Sequence, residues 1–337
     1  MNISFFETEG WEEKIVREQL PREDLFFSTE KIDELHPPAA GNDCEILSVF
    51  VNSRITEKTL AHFPSMKFLT TRSTGFDHVD PAACKKRGIH VAYVPGYGNH
   101  TVAEFAFGLI LNLTRKLYQS IDQIKEAESF SLKGLRGIDL KNRTIGIIGT
   151  GRIGREAITI AKGFGMKVLA YDAFPDTAFA KNAGISYVPL DDLLKNSDIV
   201  SIHAPYTKET RHLIDQKNIR LMKRGSYLVN TARGGIVETD ALVMALQDGI
   251  LAGAGMDVLE EEGETKDEMT FLREGNMQEQ KLKTMLENHI LMKMPNVLIT
   301  PHNAFNTQEA LERILGTTLE SITGYLAGKP VNLIPYA

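Results

Sequence analysis

An α/β protein with two parallel-sheet domains is the fold class that this sequence predicts, and three observations predict it. The chain has 337 residues, more than one ordinary hydrophobic core accommodates. Short apolar runs alternate with helical patterns, and no hairpin signal separates them. Strands joined by helical crossovers pair in parallel. A second α/β unit, RTIGIIGTGRIGREAITIAKGFGMKVLAYD (143–172), opens in the middle of the chain.

The elements follow in order. EILSVFV (45–51) predicts a buried strand, and ITEKTLAHF (55–63) a short helix with Thr56 as its N-cap. MKFLTTRS (66–73) predicts the next strand. PAACKKRG (81–88) carries Pro at its start and Gly past its end, the asymmetry of a helix. HVAYVP (90–95) predicts a further strand. TVAEFAFGLILNLTRKL (101–117) predicts a helix, with Thr101 and Glu104 spaced as a capping box. It is apolar nearly all round, so it is buried, either in a core or against another domain or subunit.

Beyond the central unit, DIVSIHAP (198–205), SYLVNTAR (226–233), LAGAGMDV (251–258) and NVLITPH (296–302) predict strands. TDALVMALQDG (239–249) predicts a helix capped by Thr239 and stopped by Gly249. The charged stretch 259–294 reads as a loop plus a helix. LERILGTTLESITGYLAGKP (311–330) predicts a last helix that ends at Gly328, with Pro330 beyond. That helix is expected to return to the first domain. The expected domains are 1–100 plus 303–337, and 101–302.

Composition narrows the function classes. Hydrophobic residues at 42% and charged residues at 24% fit a soluble globular protein. A net charge of -6 gives no electrostatic case for nucleic acid or an anionic membrane. Cys44 and Cys84 form no metal-type spacing and no disulfide framework, so no metal is expected and a reducing compartment is. The acidic MNISFFETEGWEEK has only a very short apolar run, unlike a signal or transit peptide. No run approaches the ~20 apolar residues of a membrane span. A cytoplasmic location is expected.

Gly149, Gly151 and Gly154 stand in GxGxxG spacing. The glycines follow an apolar strand (Ile145, Ile147, Ile148), open a helix, and precede a strand that ends in Asp172. In that context the pattern is a dinucleotide fingerprint. Glycines let the backbone turn tightly against a pyrophosphate, and the helix N-terminus supplies N–H donors and positive dipole for it. Arg152 adds charge there. The Asp172 carboxylate can accept from both ribose hydroxyls and repels a 2′-phosphate, so NAD is expected over NADP.

Three polar residues stand near the ends of predicted strands, where open α/β sheets bind ligands. They are Arg233, Glu262 and His302. A guanidinium can hold a carboxylate in bidentate fashion and polarise a neighbouring keto oxygen. An imidazole titrates near neutrality and can deliver a proton. A carboxylate beside it would orient it. Each has a plain alternative: a surface pair for Arg233, a solvated acidic loop for Glu262, a structural histidine for His302.

GTGRIG, HAPYTKETRHLI, LVNTARGGIVETDAL, GAGMDVLEEE and NVLITPHNAF resemble, in that order, segments of the D-isomer-specific 2-hydroxyacid dehydrogenases. TTRSTGFDHVD and VPGYGNHTVAE match the same family, so the resemblance runs over nearly the whole chain. It implies a split, flavodoxin-like, doubly wound substrate domain with an inserted Rossmann NAD-binding domain, and a homodimer. It makes Arg233 the substrate anchor, His302 the proton donor in reduction and Glu262 its partner. It places Arg152 and Ile153 on the pyrophosphate, and Ala204, Pro205 and Thr210 on the adenine side. Thr231, Ala232 and Asp257 fall near the nicotinamide, and Thr74 and Gly75 in a loop meeting the substrate carboxylate.

Within the family the D-lactate dehydrogenase branch is the nearest likeness, through Tyr97 and Phe305. Two aromatics suit a pocket for a short side chain; core packing is their other reading. The departure is GNH (98–100), where that branch carries a Ser-Pro type of sequence. The expected substrates are a small D-2-hydroxy acid and its 2-oxo acid, with D-lactate and pyruvate leading. The alternatives are a D-2-hydroxyisocaproate or 3-phosphoglycerate type of dehydrogenase, and an NAD-sensing, corepressor-like binding protein. A phosphorylated acid would want extra cations in the first-domain loops, where Arg72 is the obvious candidate. Corepressors usually carry disordered tails, which this sequence lacks.

Overall fold

The computed structural model describes residues 1–262 and 279–335. The chain forms two compact units, Met1–Tyr97 joined by the chain from Thr307 onward, and Gly98–Asn306.

The first unit begins with β1 (Asn2–Phe5), α1 (Gly10–Gln19), β2 (Asp24–Phe27) and β3 (Ile46–Val49). It continues with α2 (Glu57–Leu60), β4 (Phe68–Thr71), α3 (Pro81–Lys86) and β5 (His90–Ala92). The strands form one parallel sheet in the order β2-β1-β3-β4-β5. The residues of β3 and β4 are buried throughout, as strands covered on both faces must be. Ile46 and Phe68 pack in one apolar cluster with Val16, while their neighbours Leu47 and Leu69 pack in another with Leu60 and Cys84. That period of two is the pleat of the sheet.

Thr56 caps α2 by accepting from the Thr59 N–H. Asp80 caps α3, with Pro81 as its first residue. The elements β1, α1 and β2 were not expected from the sequence. The start of α1 is signalled by Glu9 and Glu12 in a reciprocal capping box, a pairing built from glutamate where Ser or Thr is usual.

The second unit begins with α4 (Asn99–Arg115), α5 (Leu117–Ala127), β6 (Thr144–Ile148), α6 (Arg152–Gly163) and β7 (Lys167–Tyr171). Next come α7 (Thr177–Ala183), β8 (Ser186–Tyr187), α8 (Leu190–Asn196), β9 (Ile199–Ile202) and β10 (Ser226–Asn230). It closes with α9 (Thr239–Gln247), β11 (Leu251–Met256), α10 (Glu279–Lys293) and β12 (Val297–Ile299). Its strands pair in parallel in the order β12-β11-β10-β9-β6-β7-β8. From β6 the chain winds outward to β7 and β8, then returns to lay β9 on the other side, so the switch point lies between β6 and β9. The last helix, α11 (Gln308–Leu326), is capped by Thr307 and packs Leu315, Leu319 and Ile322 on the β1–β3–β4 face of the first unit.

Two expected caps are corrected. α4 starts at Asn99 with Gly98 as N-cap, so Thr101 lies inside the helix and is buried there. α9 starts at Thr239 itself with Glu238 before it; the Thr239 hydroxyl donates instead to Glu260 Oε2 at 2.9 Å. The all-round apolar character of α4 has a source within its own unit. Ala103, Ala106, Phe107, Leu109, Ile110 and Leu113 are buried in one cluster with residues of β6, α6 and β10. A Cβ on Gly255 of β11 would come within 3.1 Å of Leu109. The expected loop and helix of 259–294 fall partly at 263–278, outside the described residues. Among the described residues, no helix is long and apolar enough to cross a membrane.

Candidate active site

The glycine-rich turn forms because only glycine fits it. Gly149 has φ +91°, and a Cβ there would stand 2.7 Å from the Ala204 nitrogen. A Cβ on Gly154 would stand 2.0 Å from the Gly149 carbonyl. In front of Gly151 the space is open to 4 Å, and no side chain caps α6. The N–H groups of its first turn, from Arg152, Ile153 and Gly154, therefore face room for an anion. The helix starts at Arg152, directly after Gly151.

Asp172 locks this turn in place. Its Oδ2 accepts from the Thr150 N–H at 2.6 Å and hydroxyl at 2.9 Å, and Oδ1 accepts from the Phe174 N–H at 2.9 Å. Partial burial pushes the carboxyl up, but these hydrogen bonds and Arg155 outweigh it, and the net shift is below the ordinary range. Asp172 is an anion at neutral pH and keeps lone pairs for further donors. The turn, the anionic strand end and the abutting Ala204 fit a dinucleotide whose ribose hydroxyls are free. Thr231 supplies a second observation: its Oγ1 is buried without a hydrogen-bond partner among the described residues, an atom that a ligand amide could satisfy. Thr210 is half-buried. Its Oγ1 donates to the Pro205 carbonyl at 2.7 Å and accepts from the Thr207 N–H, so it shapes the turn that carries Pro205.

Arg233, Glu262 and His302 follow β10, β11 and β12, three neighbouring parallel strands whose last residues Asn230, Met256 and Ile299 are in register. Adjacent strands lie about 4.8 Å apart, so the three side chains leave one edge of one sheet. His302 Nδ1 is 3.3 Å from Glu262 Oε2. The imidazole is presented by a backbone at φ 54°. Asp257 builds that turn. Its carbonyl accepts from the His302 N–H, and its carboxylate accepts from the Thr300 hydroxyl at 2.5 Å and the N–H groups of Asn303 and Ala304 at 2.8 and 2.9 Å. Burial pushes the Asp257 carboxyl up, against the pull of these donors and of His302.

Arg233 leaves a turn stitched by Asn230. The fully buried Asn230 accepts from the Ala232 N–H at 3.0 Å and donates to the Arg233 carbonyl at 2.8 Å. The Arg233 guanidinium donates to the Ala232 carbonyl at 2.8 Å. Sequence reading passed over Asn230, although an amide ending an otherwise apolar strand was a signal for it.

In the first unit, Thr74 and Gly75 lie on the loop after β4. The Thr74 hydroxyl donates to the Val94 carbonyl at 2.6 Å, and the Gly75 carbonyl accepts from Ser73 at 2.6 Å. Ser73, Thr71 and His78, also passed over, form the chain of hydrogen bonds beneath this loop. Arg72 is 2% exposed and spends its donors inside the unit, on Ser48 and the carbonyls of Phe6 and Glu7, with Glu12 beside it. Tyr97 in the first unit and Phe305 in the second are both half-buried.

The model of the D-isomer specific 2-hydroxyacid dehydrogenase NAD-binding domain matches residues 107–304. D-lactate dehydrogenase of Escherichia coli is 34% identical over 98% of both chains. A solved D-lactate dehydrogenase from Aquifex aeolicus, complexed with NAD and lactic acid, is 38% identical, covers 97% of this chain and 96% of its own, and superposes with a TM-score of 0.82. A D-2-hydroxyisocaproate dehydrogenase structure is 30% identical over 99% of each chain, also with a TM-score of 0.82. This chain belongs to the D-isomer-specific 2-hydroxyacid dehydrogenases, enzymes that use NAD to interconvert D-2-hydroxy acids and 2-oxo acids.

Proposed function

We propose that the substrates are D-lactate and pyruvate, and that Arg233, His302 and Glu262 carry the reaction. One observation carries this reading: the paired His302 and Glu262 and the guanidinium of Arg233 leave the same edge of three adjacent strands. Arg233 binds the substrate carboxylate and draws electron density from the 2-keto oxygen. Bound NADH supplies the hydride. His302 gives its proton to the keto oxygen in reduction and takes it back in oxidation, with Glu262 holding the imidazole. Arg152, Ile153 and the glycines hold the pyrophosphate, Asp172 the ribose, Ala204, Pro205 and Thr210 the adenine side. Thr231, Ala232 and Asp257 hold the nicotinamide side, Asp257 through the turn it builds. Thr74 and Gly75 meet the substrate carboxylate.

Arg72 speaks against a phosphorylated acid. Its burial and its internal partners leave no guanidinium for a second anion on the Thr74 loop. The solved relative holding lactic acid supports a small acid. Steady-state NADH oxidation with pyruvate, 4-methyl-2-oxopentanoate and 3-phosphohydroxypyruvate tests it. Pyruvate should give the highest kcat/KM, and a better value for either other acid rejects the assignment.

The proposed assembly is a homodimer, in the cytoplasm. α4 is accounted for by its own core, but α5 exposes Leu117, Tyr118, Ile121 and Ile124, and Phe130 and Leu132 beyond it are 86% and 85% exposed. A contiguous apolar surface of this kind supports a partner subunit. Sedimentation of the chain and of Leu132→Lys checks the state and the surface together.

A further inference from the structure

Three loops leave the carboxyl edge of the second sheet in sequence. Residues 203–212 follow β9, 231–236 follow β10 and 257–262 follow β11. All three meet at His212. Its N–H donates to the Gly235 carbonyl at 2.9 Å, and two residues on the Ile214 N–H donates to Ile236 at 3.1 Å. Its side-chain Nε2 lies 2.6 Å from Glu260 Oε1. The other oxygen, Glu260 Oε2, accepts from the Thr239 hydroxyl at 2.9 Å, at the start of α9. The Glu260 carbonyl accepts from the fully buried Asn288 of α10 at 2.9 Å. The loops are also in backbone contact. A Cβ on Gly234 would stand 2.0 Å from the Leu259 carbonyl, and one on Gly235 would stand 2.9 Å from the Tyr206 ring.

Strained backbone marks both ends of this junction. His212 has φ 50° and Glu261 has φ 51°. Such residues cost on the order of 1–3 kcal/mol and persist only where the surroundings hold them. Glu261 stands between the carboxylate fixed by His212 and the carboxylate that faces His302. Fixing Asp257 and Glu260 holds the Val258–Leu259 stretch between them, and Glu262 follows only two residues past the anchored Glu260.

We propose that His212 and Glu260 are a positioning pair for the dehydrogenase reaction. The pair holds Glu262 against His302, and it ties that hold to the Ala204–Thr210 loop assigned above to the cofactor. The pair spans 48 residues of sequence and joins the loop assigned to the dinucleotide to the loop that orients the proton donor. A bound dinucleotide that orders the first loop thereby orders the second. The inference rests on the reading of His302 and Glu262 as the acid–base pair.

The test compares His212→Ala, His212→Gln, Glu262→Gln and the double variant His212→Ala/Glu262→Gln in the full chain. A glutamine amide can reach Glu260 from the same backbone. Ala and Gln suffer the same positive φ, so a difference between them reports the side-chain contact alone. His212→Ala should lower kcat for 2-oxo acid reduction roughly tenfold or more, the scale of a small displacement of an acid–base group. It should also weaken NADH binding several-fold, read by nucleotide fluorescence, and His212→Gln should recover most of both. The double variant should have the kcat of Glu262→Gln alone, because the clamp acts through that residue.

A His212→Ala kcat within twofold of the parent, equal damage from Ala and Gln, or independent losses in the double variant each overturn the clamp. A normal kcat for Glu262→Gln instead overturns the acid–base reading itself, and the clamp with it. If His212→Ala does not fold, Glu260→Ala against Glu260→Gln makes the same comparison from the other side of the contact.

Discussion

His302 Nδ1 stands 3.3 Å from Glu262 Oε2, although the two residues are 40 positions apart and belong to loops after different strands. The contact exists because β11 and β12 are neighbours and Asp257 captures the turn after β12 with four hydrogen bonds. Nδ1 is taken up by the carboxylate, and the proposed role assigns Nε2 to the substrate oxygen. The division of the imidazole into an oriented nitrogen and a working nitrogen is what a proton donor needs.

Replacing His302 by alanine should therefore remove proton delivery and leave the nucleotide site intact. A loss of about a hundredfold or more in kcat is expected, the scale of general acid catalysis. NADH affinity by fluorescence titration should stay within about twofold. Turnover near that of the parent rejects His302 as the donor.

Arg233→Lys keeps a positive charge but not a planar fork. If the guanidinium binds carboxylate and keto oxygen together, the change costs on the order of 2–3 kcal/mol, about a hundredfold in kcat/KM for the 2-oxo acid. NADH binding should be unaltered, since the turn is stitched by Asn230 and not by the guanidinium. A lysine variant with parental kcat/KM removes the bidentate role.

What could be read from the sequence was what local pattern encodes. The glycine spacing, the strand before it and Asp172 after it all lie within one βαβ unit, so a fixed sequence distance became a fixed geometry. Arg233 and His302 stood out because each closes a predicted strand, although β10 and β12 end three residues earlier, at Asn230 and Ile299. The capping box of Thr101 and Glu104 misled, because its spacing also occurs inside a helix whose true start, Gly98, has no side chain to announce it. The pair His212–Glu260 depends on which strands neighbour each other, and no window of sequence contains that; Thr71, Ser73 and His78 are close in sequence, but no regular period of helix or strand brings their side chains together. Arg72 was the candidate cation for a phosphorylated acid; only the fold shows its fork consumed by Ser48 of β3 and the carbonyls of Phe6 and Glu7 just past β1.

Asp172 does two things at once, and a single substitution separates them. Its carboxylate anchors the Thr150 N–H, and in the proposed cofactor site its charge would repel a 2′-phosphate. Asp172→Asn keeps an acceptor for the loop but loses the charge. The KM for NADH should rise roughly tenfold, the worth of a hydrogen bond to a charged group, while NADPH should become a measurable substrate. Stability should also change with pH. The native carboxyl titrates below its unfolded value, so the stabilisation is present above about pH 4 and is lost as pH falls through the lower native value. The asparagine variant should lack this contribution, so the difference in unfolding free energy between parent and variant should change as pH falls through that window, as read by urea unfolding.

His203 gives the fold a separate sensitivity to acid, at higher pH. Its Nε2 meets Ser201 at 2.9 Å, while its Nδ1 is buried without a partner among the described residues. Burial disfavours a proton on that ring and holds the imidazole down to about 4. In the unfolded chain the same ring takes a proton near pH 6.5. Between those values the unfolded state binds more protons than the native state, so native stability must fall as pH drops from about 6.5 to about 4. The loss levels off below that, and about 3 kcal/mol is its upper scale. His203→Gln keeps a polar partner for Ser201 and cannot take up a proton. The difference in unfolding free energy between parent and variant should therefore be flat above pH 7 and slope between pH 6 and 4. Parallel curves through that window would show that His203 meets solvent or an unseen partner in its protonated form.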